Sequence, residues 1–124
     1  MFDIDNTLCV TYGSNYANSR PNSEIIKLVN DLYLNDYYIK IFTSRYMGRN
    51  KENASFVKKK YYYKIKKQLI SWDLKFHELI LGKPSYDIHF DDKTFNSKSS
   101  NFITMLKKLK WLFVKFIKNN ILQG

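Results

Sequence analysis

The chain has 124 residues, 44% of them hydrophobic and 17% aromatic, enough for one packed core and too apolar for a disordered segment. A formal net charge of +10 excludes an acidic surface and favours phosphorylated, nucleic-acid or anionic-membrane partners. One cysteine, Cys9, excludes an internal disulfide, and no apolar run with a small-residue cleavage site opens the sequence, so a reducing, cytoplasmic compartment is expected.

The first residues, MFDID, read as the end of a buried strand carrying two acids, Asp3 and Asp5, at its tip. A polar stretch from Thr11 to Ser23 follows and offers only a flap. From Ser23 to Asn35, Ile25, Leu28, Val29 and Leu32 recur at helical spacing, with Asn22 or Ser23 as the cap. Tyr37 to Thr43 is aromatic and β-branched, the pattern of a buried strand ending at a polar tip. A second helix is predicted over Asn50 to Trp72, with Tyr61, Tyr62, Ile65, Leu69 and Trp72 as its stripe and Lys60, Lys64 and Lys67 opposite. HELIL and YDIHF then read as two short strands, the latter running into Asp91 and Asp92, and a last helix spans about Ser100 to Leu122.

Strands alternating with helices in this way imply an α/β fold with a mainly parallel sheet covered by helices. Ligands in such sheets sit beyond the carboxyl ends of the strands. DIDNT, IFTSR, LGKP and HFDDK each follow an apolar run, so Asp3, Asp5, Thr43, Lys83, Asp91 and Asp92 are expected to meet at one edge. A lone Asp-x-Asp is most often a solvated turn; the ordered series of four raises it to a candidate site.

Asp3, Asp5 and Thr7 match the first motif, Asp-x-Asp-x-Thr, of the haloacid dehalogenase superfamily of phosphohydrolases, which the chain resembles over most of its length. Within it, IFTSR, HELILGKPSYDIHFDDK and Asn53 look most like small proteins associated with capsular or surface polysaccharide synthesis. The resemblance implies a Rossmann-like three-layer sandwich without a cap domain, the core spanning 1–97 and a basic helix 98–124. It implies a phosphatase in which Asp3 is the nucleophile, Asp5 the general acid and base, Thr43 a hydrogen-bond partner of the phosphoryl group and Lys83 its counter-charge. Magnesium is the implied cofactor, held by Asp3, Asp5, Asp91 and Asp92, with Asp92 favoured as the direct ligand. Thr7, Ser44 and Arg45 are the substrate-binding candidates. Thr7 suits a loop-holding role better, and Arg45 is as readily a surface residue. Asn53 is either a helix-start residue or a substrate contact, Cys9 a buried thiol, and His77 and His89 packing or solvent-facing residues.

The implied substrate is a phosphorylated sugar or polysaccharide precursor, reached through an open site or one closed by a neighbouring subunit in a homo-oligomer. Only two residues precede Asp3, fewer than the family's first strand carries, which predicts a native start farther upstream or a weakened central strand. The terminal segment, with Phe102, Leu106, Leu109, Phe113 and Phe116 in a stripe beside Lys107, Lys108, Lys115 and Lys118, suits either packing on the sheet or peripheral contact with an anionic membrane. The rival from another class is a catalytically silent basic module holding phosphorylated glycan, nucleic acid or anionic lipid. Processing of nucleic-acid ends is a third reading.

Overall fold

The structure is a computed structural model that describes residues 1–86 and 90–93. The chain divides into two compact units, Met1–His89 and Phe90–Gly124. The expected boundary at 97/98, the terminal helix, and the centre of the YDIHF strand lie outside the described residues.

The first unit is a small α/β structure whose elements run β1 (Cys9–Val10), β2 (Arg20–Pro21), α1 (Ser23–Leu34), β3 (Lys40–Thr43), α2 (Ala54–Ser71) and β4 (Glu78–Leu81). Two short sheets result. The first is a parallel pair of β3 with β4, Lys40 opposite Glu78 and Thr43 opposite Leu81. The second is an antiparallel pair of β1 with β2, the base of a flap whose tip carries a 3-10 turn at Tyr16–Asn18. The amino-terminal segment joins the parallel side through a single bridge: Phe2 donates to the Lys40 carbonyl at 2.9 Å and accepts from Phe42 at 2.9 Å. Phe2 and β4 therefore flank β3. The expected strand over MFDID is reduced to that one residue, because Ile4 already turns the chain, its carbonyl accepting from Thr7 and Leu8.

Local chemistry explains where the helices start. Asn22 caps α1, its side chain accepting from the Ile25 amide at 3.3 Å. Asn53 caps α2 in the same way, accepting from Phe56 at 3.1 Å, which settles Asn53 as a helix-start residue. The helix predicted from Asn50 begins four residues later because Lys51 and Glu52 both adopt left-handed backbone, with φ of 53° and 59°, and no α-helix passes through such a pair. The second strand likewise begins at Lys40 rather than Tyr37. Tyr38 instead stacks on His77, which stacks on Tyr33 as well, and the Ile39 amide donates to His77 Nδ1. His77 is thus a packing residue, as expected.

The core gathers Ile4, Leu8, Ile25, Ile26, Val29, Ile41, Val57, Ile65, Leu69, Leu79 and Leu81. Leu28 and Leu32 of the predicted α1 stripe are only half-buried, and Ile26 takes their place. Helix α2 packs on β4, and the contact is close at Gly82. A Cβ there would come within 3.0 Å of Ala54 Cβ, and its φ of +87° suits glycine alone. Gly82 thereby lets β4 leave the sheet with Lys83 next in line.

Candidate active site

The carboxyl end of β3 positions the first group of residues. Thr43 is its last member, and its carbonyl accepts from the Lys83 amide at 3.1 Å, so the chain after β4 is tied to the end of β3. From there the Lys83 ammonium reaches to 3.8 Å from Asp3 Oδ2, while Asp3 Oδ1 accepts from the Ile4 amide at 2.8 Å. The Lys83 head also lies over the rings of Phe42 and Tyr86. Burial pushes the Asp3 carboxyl above its ordinary pKa and the charge of Asp5 adds to the rise, whereas Lys83, the Ile4 amide and Arg45 act against it. Asp3 is therefore a carboxylate whose loss of water on burial is not fully offset by the Lys83 charge and the Ile4 amide.

Asp5, two residues on, is in a different situation. The Arg45 guanidinium grips both of its oxygens, Nε at 3.1 and 3.0 Å and Nη2 at 2.8 Å from Oδ1. Thr11 donates its hydroxyl to the same Oδ1 at 2.7 Å. Arg45 is 2% exposed; its remaining donors meet Gln68 Oε1 and Ser19 Oγ, and its plane lies 4.8 Å from the Tyr16 ring. Ser19 in turn bonds Thr11 at 2.6 Å. Every buried side-chain nitrogen and oxygen among the described residues has a partner. This corrects the reading of Arg45 as a surface residue: it is buried, and its bonds join the first loop, the flap and α2.

The other candidates fall on either side of that division. Thr43 is fully buried, and its hydroxyl accepts from the Arg45 amide at 3.1 Å, so it shapes the turn into Arg45 as well as ending the strand. Thr7 holds the first loop through its amide, and Asn6, at φ of 61°, bonds the Thr11 amide through its side chain. Ser44 is half-buried between Thr43 and Arg45. Cys9 is buried with its sulfur 3.3 Å from Thr11 Oγ1, a structural thiol. Asp91 and Asp92 belong to the second unit, where both are exposed and Asp91 accepts from the Lys93 amide at 3.0 Å. Among the described residues no three His, Cys, Asp or Glu side chains cluster as a metal site, and no helix is long and apolar enough to cross a membrane.

Sequence inspection missed Thr11, Ser19, Gln68 and Tyr16. None sits in a motif, and each acts through a partner 6 to 52 residues away, such as Gln68 donating to the Tyr16 carbonyl. A cavity of about 310 Å³ lies where the flap tip at Tyr16 and Ala17 meets Arg45, Tyr46 and α2.

Comparison with solved structures finds a likeness to a structural-genomics target from Vibrio cholerae, with 26% identity, a TM-score of 0.74, and 91% of this chain matched to 94% of that one. No protein-family profile matches the chain. No curated protein matches it.

Proposed function

We propose that the chain is a magnesium-dependent phosphatase of the haloacid dehalogenase type, with the Rossmann-like, capless architecture its motifs resemble. The observation that carries this reading is the meeting of Asp3 and Lys83, with Thr43 between their strands, at the carboxyl end of a parallel β pair. In the first step Asp3 attacks phosphorus, a carboxylate oxygen–phosphorus bond forms and the bond to the leaving alkoxide breaks. Water then cleaves the aspartyl-phosphate. Lys83 offsets negative charge on Asp3 and on the phosphoryl oxygens as they crowd together.

The donor chemistry suits magnesium, a hard cation that takes oxygen ligands and keeps several waters. Asp3 offers a buried carboxylate with a raised pKa, and the Asp5 carbonyl would add a second oxygen beside it. When bound, the ion supplies charge neutralisation between Asp3 and the phosphoryl group. The substrate class, a phosphorylated sugar or polysaccharide precursor, follows from the likeness of the motif series.

A second reading, the catalytically silent binding module, draws on Asp5. A carboxylate held through both oxygens by a buried arginine must exchange that partner before it can pass a proton to a leaving group. Turnover separates the two. Release of phosphate from an aryl phosphate that requires magnesium and falls at least about a thousandfold in Asp3→Asn supports the enzyme. Binding of phosphorylated glycan without any release supports the module.

A further inference from the structure

Helix α2 carries two apolar stripes, and the core uses only one. Val57, Ile65 and Leu69 face inward. On the opposite side, Phe56, Tyr63 and Ile70 recur every seventh residue and are 44%, 78% and 59% exposed. At 100° per residue they form one line along the outside of the helix, with Lys59 and Lys66 to one side and Lys60 and Lys67 to the other. Six lysines and no acid lie between Ala54 and Ser71. None of them joins a salt bridge among the described residues; Lys60 and Lys66 lie over the rings of Phe56 and Tyr62 instead.

The geometry points to this outer face of α2 as a docking surface for an anionic lipid bilayer. A straight apolar line with ammonium groups along both margins is the profile of a helix lying in a membrane interface, the line reaching below the headgroups and the lysines pairing with them. A second copy of this chain is disfavoured by bringing two +10 surfaces together. Single-stranded nucleic acid fits less well: the rings of Phe56 and Tyr63 stand roughly 10 Å apart along the axis and the line ends on Ile70, whereas bases need closely spaced aromatic platforms. The surface is independent of the Asp3 site, so it stands or falls separately from the phosphatase reading.

The test uses the full chain with sedimented vesicles of phosphatidylcholine alone or mixed with phosphatidylserine. The wild type is expected to bind the mixed vesicles, to be released by salt, and to ignore the neutral ones. The fourfold variant Lys59→Glu, Lys60→Glu, Lys66→Glu, Lys67→Glu is expected to lose on the order of a hundredfold or more in affinity. Tyr63→Ser, at a site too exposed to affect folding, is expected to lose several-fold. For a readout at the surface itself, Tyr63→Cys carries a polarity-sensitive dye, since Cys9 is buried from the reagent; its emission is expected to shift to the blue on phosphatidylserine vesicles. The inference is overturned if the dye does not shift, if the variants bind mixed vesicles as well as wild type does, or if an oligonucleotide is bound and vesicles are not.

Discussion

Asp3 and Asp5 stand two residues apart on the same short segment, yet the protein treats them oppositely. Asp5 is surrounded by donors at 2.7 to 3.1 Å from Arg45 and Thr11. Asp3 has a lysine at 3.8 Å and a carboxyl that burial makes harder to ionise. Satisfied polar groups hold structure together, whereas an undercompensated one at a strand end retains capacity for a ligand. On the proposed phosphatase reading the difference fits an anchoring role for Asp5 and a chemical one for Asp3, although the motif alone presents them as a matched pair.

The largest effect is expected at Arg45. Arg45→Met leaves Asp5, Gln68 and Ser19 without their shared donor, and a loss of about 3 kcal/mol is expected, the low end for breaking a buried pair because Asp5 keeps some access to water. Urea unfolding measures it; a loss under about 1 kcal/mol would mean that the cluster anchors nothing.

Lys83→Met acts on the other carboxylate. Lys83 is half-buried and its ion pair with Asp3 is long at 3.8 Å, so a modest change in stability is expected, but turnover of an aryl phosphate is expected to fall about a hundredfold, since a single charge aimed at the reacting group is removed. Unchanged turnover with intact folding would detach Lys83 from the chemistry.

The smallest effect sharpens the contrast through pH. A carboxyl whose pKa is raised on folding binds protons more tightly in the folded state, so its contribution is most favourable in acid. That contribution is lost as pH rises from the ordinary value of 3.8 through the raised one, and remains lost above it. Asp3→Asn cannot ionise, so without metal it is expected to be modestly more stable than wild type at neutral pH, with the gap closing toward pH 4. Thermal denaturation across that range checks this; a variant less stable than wild type at neutral pH would show that Asp3 supports the fold rather than straining it. Added magnesium is expected to stabilise wild type and leave the variant unmoved.

The elements were legible where periodicity and capping agree. Ile25 and Val29 announce α1 and Asn22 its start; Ile41 and Thr43, and Leu79 and Leu81, announce the two parallel strands. At Lys51 and Glu52 the pattern misleads, because neither residue type signals left-handed backbone and only the closed turn between β3 and α2 requires it. The site divides in the same way. Asp3, Thr43 and Lys83 could be grouped in advance because Thr43 ends one apolar run and Asp3 and Lys83 follow two others, and parallel strands deliver their ends to one edge.

What sequence alone determined, then, is a strongly basic α/β chain with acids and a lysine at its strand ends, since composition and local period are properties of neighbouring residues. What only the tertiary structure decided is the partner of each acid. Arg45 reaches Asp5 across 40 positions, Ser19 across 26 and Gln68 across 23, and such choices depend on which groups burial brings together and which it leaves to be satisfied by one another.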